Sequence, residues 1–541
     1  MFKRLAKWFH SETSGLTAAA VIIGASALAA DIVGVLRDRS LAATFGAGNY
    51  LDAYYAAFRV PDFLYNLVIV GSLSAGFIPV FAQYLETRDK KEAWHMAEQV
   101  LSVVGVTMIV LCLVLALTAQ WIVPLTVPGF SPEKTQLTIQ LARIMFLSPF
   151  FLGLSAVMGG ILQATRRFIA FSIAPVAYNL GIIFGTLVLV PRMGVIGVAW
   201  GVVLGAFLHC LIQTVVAIQL GIRRIPWPSI KNEGVRRILK LMGPRTLGLA
   251  VSQLNLVILL IFASTLSAGS VAIFNLANNL QGFPVSIIGI SFAVAAFPIL
   301  SKAAGKKDIA GFKQALSSAA RKICFFILPM TALFFLLRAQ IVRLALGAGV
   351  FGWTDTIRTA VVLGVFVTSL IGQSLVPLLA RAFYALQDTW APLWIGLAAE
   401  IVNAGLAYFL RVPFGIAGLV VAFSVSTYLN MFLLLWMLRR REGKLGNGEF
   451  TKSFLKSLAA SVAIIAVGYP VRQFLGTVFP LSTFWQVALQ AAAAGAAGTL
   501  AFVLVAWLIK SEEFNELIHE INYRMFKRHA VVEGAEEAQN L

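Results

Sequence analysis

Long apolar runs, each closed by a turn or a cluster of basic residues, recur along the whole chain. An α-helix needs about 20 apolar residues to cross the hydrocarbon core of a bilayer. The runs that meet this length are 14–36, 52–82, 97–119, 137–164, 170–190, 195–220, 238–265, 269–300, 314–337, 357–381, 391–410, 415–438, 453–474 and 484–509. They predict an all-α integral membrane protein with about fourteen spans. The second and eighth runs are long enough to be bent or to leave the bilayer.

The pattern repeats internally. The second run ends SAGFIPVFAQY at 74–84 and the eighth ends AVAAFPILSKA at 293–303, which puts Pro79 and Pro298 about 220 residues apart. Two runs six spans apart share a direction, so the repeat is parallel, of the kind built around an axis along the membrane normal. The predicted organisation is an amphipathic N-terminus (1–13), an N-lobe of six helices (14–220), a cytoplasmic linker (221–237) holding Pro226 and Pro228, a C-lobe of six (238–438), two added spans (439–509) and a cytoplasmic amphipathic tail (510–541). In the tail, Ser511 can cap a helix whose apolar face is Phe514, Leu517, Ile518, Ile521 and Met525, with Arg524, Lys527 and Arg528 in its last turn. Such a helix is expected to lie on the inner membrane surface.

Composition agrees. Of 541 residues 59% are hydrophobic and 12% charged, against about 25% charged in soluble domains. The net charge of +19 does not read as a nucleic-acid footprint, because the Lys and Arg excess sits in short loops such as Arg88/Lys90/Lys91, Arg166/Arg167 and Arg439/Arg440/Arg441. That is the positive-inside pattern, and with an even number of spans it places both termini in the cytoplasm. Cys112, Cys210 and Cys324 lie in apolar runs with no disulfide or metal-ligand spacing, and the five histidines form no cluster. No small-residue cleavage site follows the first run, which reads as a retained helix and not a signal peptide.

Against this background the charges at membrane depth need a reason. Arg37, Asp38, Arg39, Asp52, Arg59 and Asp62 crowd the first two runs, Asp31 lies inside the first, and Glu400 sits mid-run with Asn403 three residues on. Ionisable groups inside a bilayer are costly and normally face a partner or a water-filled cavity. Plainer roles compete: Arg37 and Arg39 can snorkel, Arg59 and Asp62 can be a helical ion pair, and Asn278, Asn279 and Gln281 can join helices. Arg381 and Asp388 flank a predicted cytoplasmic turn and suit a structural gate contact. Glu400 is a cation or proton site by default, or a protonated acid satisfied by a neighbour. No GxxxxGK[ST] loop occurs, so the chain has no ATP site of that kind, and nothing in it reads as an enzyme. A charged cavity and a two-lobe repeat point to a carrier that rocks between two open states.

Residues 14–440 resemble the MurJ (MviN) family of lipid II flippases, within the multidrug/oligosaccharidyl-lipid/polysaccharide exporter (MOP) superfamily. The resemblance rests on GVLRDRSLAATFGAG (34–48), LDAYYAAFRVPDF (51–63), SAGFIPVF (74–81), LARIMFLSPFF (141–151) and GGILQATRRF (159–168). It continues in VAWGVVLGA (198–206), PRTLGLAVSQLN (244–255), NLANNLQGFP (275–284) and LLARAFYALQDT (378–389). It implies a multi-pass protein of the bacterial inner membrane that moves the undecaprenyl-diphosphate-linked peptidoglycan precursor outward. A diphosphate needs charge-assisted donors, for which Arg is the best suited side chain. By the resemblance, Arg37 is a cavity arginine, Asp38 and Asp52 are its acidic partners, and Arg59 stands where a basic residue is usual. The family's further arginines fall at Asp31, Tyr65 and Asn279, so phosphate binding is redistributed to Arg37 and Arg59 or the substrate differs. Asp31, Asp52 and Asn279 complete the substrate-binding set.

The resemblance also implies a Na+ or H+ coupling site at Glu400 and Asn403, with Asn255 and Ser424 or Thr427 adding oxygens, and no other cofactor. The partners it implies are the lipid-linked precursor, membrane lipids and the cell-wall synthesis machinery. The chain is read as a monomer that binds no nucleic acid. Three alternatives stay open: a flippase for another lipid-linked oligosaccharide, a drug/cation antiporter of the same superfamily, and a non-transporting scaffold.

Overall fold

A computed structural model describes residues 16–67, 74–443 and 448–519. The amphipathic N-terminus 1–13 and the tail residues Ile521, Arg524, Met525, Lys527 and Arg528 lie outside the described residues. Those described are helical, with no strand among them. In chain order the helices are α1 (Leu16–Phe45), α2 (Asn49–Tyr65), α3 (Ser74–Thr87), α4 (Lys90–Thr126), α5 (Pro132–Met145) and α6 (Leu147–Ala164). Then come α7 (Phe168–Phe184), the short α8 (Val190–Met193), α9 (Ile196–Leu220), α10 (Glu233–Ser264), α11 (Ser270–Pro284) and α12 (Ser291–Gly305). The last are α13 (Ile309–Leu346), α14 (Trp353–Thr368), α15 (Leu370–Ala385), α16 (Trp390–Glu442), α17 (Glu449–Val478) and α18 (Phe484–Leu508).

Nine of the described helical spans are long and apolar enough to cross a membrane, or ten if α14 and α15, bent by 42°, count as one. That is fewer than the fourteen runs. Helix α16 has 53 residues, about 80 Å at 1.5 Å per residue, against a hydrocarbon core of about 30 Å. It covers two runs, and Gly415 breaks it between them with φ 56° and ψ −135°, a conformation open to glycine and strained for other residues. The runs 14–36, 52–82 and 238–265 each include positions beyond the described side chains.

The internal repeat is visible in the backbone. Helices α2 and α11 both run into wide π-helical turns, at 66–67 and at Val285–Ile290. The helices that follow, α3 and α12, carry Pro79 and Pro298. Next come the long helices α4 and α13, of 37 and 38 residues. The turns closing α6 and α15 each hold a non-glycine residue in the left-handed region, Arg166 (φ 59°) and Gln387 (φ 60°). In both, the next amide reaches back five residues, Arg167 N to Leu162 O and Asp388 N to Phe383 O, as a left-handed helix terminus requires. Gly194 (φ 64°) and Gly415 (φ 56°) are a further matched pair.

Two compact units divide the chain. The first comprises Met1–Leu276, Ala345–Thr359 and Ala404–Leu419; the second comprises Ala277–Leu344, Ala360–Asn403 and Val420–Leu541. In the first, the segment after α13 is tied to the end of α1, where Val350 N donates to Ala43 O at 2.9 Å. Its core joins Phe77 and Phe81 of α3 to Met96, Val100 and Met108 of α4, Val157 and Ile161 of α6, and Val235 and Ile238 of α10. Elsewhere in this unit small residues do the packing. A Cβ on Gly181 would lie 2.3 Å from the Gly205 Cα, and one on Gly185 would lie 2.4 Å from the Gly201 Cα. Helices α7 and α9 therefore meet backbone to backbone, as helices do where lipid gives no hydrophobic drive to associate. In the second unit, Phe325 and Leu336 of α13 pack with Ile464 of α17 and Phe502 of α18. Phe514 and Leu517 of the tail join this cluster, while Ile518 stays exposed.

Candidate substrate cavity

Within the first unit, α1, α2, α5, α6, α7 and α9 enclose a cavity of about 330 Å³. Two of the helices carry an internal proline on its wall, Pro61 in α2 and Pro175 in α7. A proline inside a helix leaves the carbonyl four residues back without its amide and bends the helix, which opens space between packed spans. The walls are largely apolar, through Phe58, Met145, Leu152 and Val202, with Arg37, Asp62, Tyr65, Ser148, Tyr178 and His209 as the polar groups. An apolar cavity with a few convergent polar groups is the usual form of a ligand site.

Arg37 is the cation of this wall. Its Nε and Nη2 donate to Asp38 Oδ1 at 3.0 and 2.7 Å, and its Nη1 donates to Asn179 Oδ1 at 3.0 Å. Asn179 is itself fixed by its Nδ2, which donates to Pro175 O at 3.2 Å. The guanidinium is thus aimed by an acid on its own helix and an amide on α7. Of its five N–H donors these bonds use three, and the other two have no partner among the described residues.

Asp62 and Tyr65 stand on the same wall, one turn apart on α2. Asp62 Oδ1 accepts from Asn66 Nδ2 at 2.9 Å, and its Oδ2 lies 3.8 Å from Arg59 Nη1. Arg59 is not part of the wall: its Nη2 donates to Asn275 Oδ1 at 3.1 Å and its buried Nε has no hydrogen-bond partner among the described residues. The structure therefore does not bring Arg37 and Arg59 to one site. Asp31 is on an exposed face of α1 and forms no ion pair among the described residues.

Asp52 does different work. It is 1% exposed, and its carboxylate accepts from Lys134 Nζ at 2.7 Å, Gly269 N at 2.7 Å and Ala272 N at 2.8 Å. It caps the N-terminus of α11, where free amides and the helix dipole favour an anion. Its lone pairs go to protein donors, which makes it a joint between α2, α5 and α11.

The remaining sequence candidates belong to the second unit, apart from Asn255, which is buried in the first. Asn279 is exposed, and Gln281 exchanges hydrogen bonds with Gln373 at 2.8 and 3.3 Å. Glu400 Oε2 accepts from Asn403 Nδ2 at 3.5 Å. The hydroxyls of Ser424 and Thr427 donate to carbonyls of their own helix. No group of three His, Cys, Asp or Glu side chains able to hold a metal ion occurs among the described residues. Arg381 and Asp388 are not partners: Arg381 Nη1 donates to Pro377 O, while Asp388 caps α16 through Trp390 N and Ala391 N and pairs with Arg441 at 3.0 Å.

Two polar groups escaped the sequence reading. His209 lines the cavity, and its Nδ1 lies 2.7 Å from Ser155 Oγ, which also meets Gln213 Oε1 at 2.9 Å. An ionisable residue inside an apolar run was the available signal; scatter among the histidines hid it. Lys134 sits in the first turn of α5, where a cation opposes the helix dipole, and that mismatch was a hint of a buried anion nearby.

Fold and cavity together define a polytopic helical membrane protein of the transporter type, with an internal repeat and, in its first unit, a cavity that holds Arg37 and Asp62. Its fold is that of a solved structure described as "Lipid II flippase MurJ, inward closed conformation", at TM-score 0.75 and 22% identity over 92% of this chain and 100% of that one. An inward-facing multidrug resistance MATE transporter of the MOP superfamily follows at 0.65 and 19% identity, over 77% of this chain and 95% of its own. In sequence, the profile of the family "Lipid II flippase MurJ" matches residues 41–511, and the chain belongs to that family. Its relatives include a "Probable lipid II flippase MurJ" of Buchnera aphidicola subsp. Acyrthosiphon pisum (strain APS), 29% identical over 80% of this chain and 86% of that protein. The "Lipid II flippase MurJ" of Burkholderia cenocepacia is 28% identical over 76% of this chain and 81% of its own length.

Proposed function

We propose that this protein flips lipid II, the undecaprenyl-diphosphate-linked peptidoglycan precursor, from the inner to the outer leaflet of the bacterial cytoplasmic membrane. The observation that carries this reading is the family match over residues 41–511. The chemistry of the cavity suits it. Arg37 offers two free N–H donors at fixed geometry, and a guanidinium fork matches the oxygens of a diphosphate. The diphosphate binds at Arg37, with Arg59 held back by Asn275 until the helices rearrange.

Transport runs by alternating access without a catalytic step, in a monomer whose termini are both cytoplasmic. An inside-negative potential favours anion exit by about 2.3 kcal/mol per charge per 100 mV, so a coupling ion, Na+ or H+, chiefly resets the empty carrier. Glu400 with Asn403 is where it binds. Cell-wall synthesis enzymes are the natural suppliers and consumers of the substrate.

The test is complementation. Cells depleted of their own lipid II flippase should grow when this chain is expressed, and their spheroplasts should regain outward movement of lipid II. Membrane insertion at normal level with no growth and no lipid II movement would overturn the assignment.

A further inference from the structure

The linker between α9 and α10 holds its backbone firmly while turning its largest apolar side chains away from the protein. Ile222 enters the core of the first unit. Three residues on, Ile225 is 78% exposed, Trp227 88% and Ile230 63%. A loose loop would explain such exposure, but this one is pinned. The buried Glu98 of α4 accepts from both Arg223 N (2.8 Å) and Arg224 N (2.9 Å) through one oxygen, and the neighbouring Gln99 accepts from Ser229 N at 3.1 Å. One turn further along α4, Ser102 donates to Pro226 O. Pro226 and Pro228 restrict the strap further by fixing φ.

A rigid strap with an exposed tryptophan and two isoleucines costs free energy in water. It is stable where apolar side chains are wetted by lipid and polar ends by headgroups, the position Trp prefers. The exposed charges on it and just after it are mostly positive. Arg223, Arg224 and Lys231 on the strap and Arg236, Arg237 and Lys240 on the first turns of α10 are all exposed, with Glu233 the one acid among them. The strap follows directly on a helix long and apolar enough to cross a membrane, Ile196–Leu220, which puts it near headgroup level.

We propose that residues 223–231 form a site for anionic phospholipid: Ile225, Trp227 and Ile230 enter the acyl boundary, and Arg223, Arg224 and Lys231 bind the phosphate-bearing headgroups. Glu98 acts as the clasp that presents this face. The inference is independent of which head group the protein transports.

The test uses the full chain in nanodiscs with a nitroxide on Ile230→Cys; the native Cys112, Cys210 and Cys324 are buried. Phosphatidylglycerol is titrated into phosphatidylcholine, and collision with lipid-soluble oxygen is compared with collision with an aqueous nickel chelate. The label should become shielded from nickel and open to oxygen as phosphatidylglycerol rises. In the Arg223→Gln/Arg224→Gln variant, the mole fraction for half-shielding should rise about fivefold per charge removed. In Glu98→Ala, which removes the acceptor of both amides, shielding should fall at every lipid composition, with elution as a folded monodisperse species checking integrity. A label open to nickel at all compositions would overturn the proposal. So would shielding that ignores both phosphatidylglycerol and the two arginines, or shielding that appears only when other membrane proteins are reconstituted alongside, which would mark a protein partner.

Discussion

The joint at Asp52 gives the sharpest stability prediction. The Asp52 side chain is 2% exposed and that of Lys134 11%, and the carboxylate receives one ammonium and two amides within 2.8 Å. Hydrogen bonds to charged groups contribute about 1.5–3 kcal/mol each, but they offset a desolvation cost, so the useful quantity is the loss on breaking the pair. Asp52→Ala leaves a nearly buried ammonium and two helix-terminal amides without their acceptor, a loss of about 3–5 kcal/mol. Lys134→Met is milder, about 1–2 kcal/mol, because the carboxylate keeps its two amides and its place at the α11 terminus. Asp52→Ala combined with Lys134→Met should then be more stable than the sum of the single changes predicts, by about 1.5 kcal/mol or more. Reversible unfolding of the purified chain in mixed micelles, followed by fluorescence of its 11 tryptophans, measures all four species. Additivity within about 0.5 kcal/mol would show that Asp52 and Lys134 do not act together, and the joint would be refuted.

Arg37→Ala should abolish complementation while leaving the membrane level of the protein normal, and Arg37→Lys should fail to restore it, because an ammonium cannot hold Asp38, Asn179 and a phosphate with one planar fork; quantitative immunoblots beside growth curves decide this. Glu400→Gln should slow lipid II movement and remove its dependence on sodium or pH without loss of folding; transport at the normal rate with unchanged ion dependence would make Glu400 structural. Gly205→Leu places a side chain where even an added Cβ would lie 2.3 Å from the Tyr178 carbonyl oxygen, so α7 and α9 must part and thermal stability in detergent should fall by several degrees, whereas the same change at Gly282, where an added Cβ would meet nothing within 4 Å among the described residues, should leave it unmoved.

The sequence by itself determined the class of the molecule. Bilayer thickness sets the length of a span, and the uneven distribution of Lys and Arg suggested its orientation, so the runs and their loops could be read directly. The repeat was legible from Pro79 and Pro298, because a proline leaves a mark on a helix that needs no tertiary context. The charges of the first two runs were legible as unusual, since a bilayer tolerates few of them. What each charge does was not legible. Arg37 and Asp52 look alike as intramembrane ions, yet one reaches a cavity wall through Asn179, 142 residues away, and the other caps a helix that begins 218 residues later. Those partners come from α7 and α11, and only chain folding brings them within hydrogen-bond reach. The same holds for Asp388, whose expected partner Arg381 turns to its own helix while Arg441 supplies the charge. Distance along the chain decides helix-local pairs; between helices, packing of small residues such as Gly181 against Gly205 sets which faces meet, and that decides which charges pair.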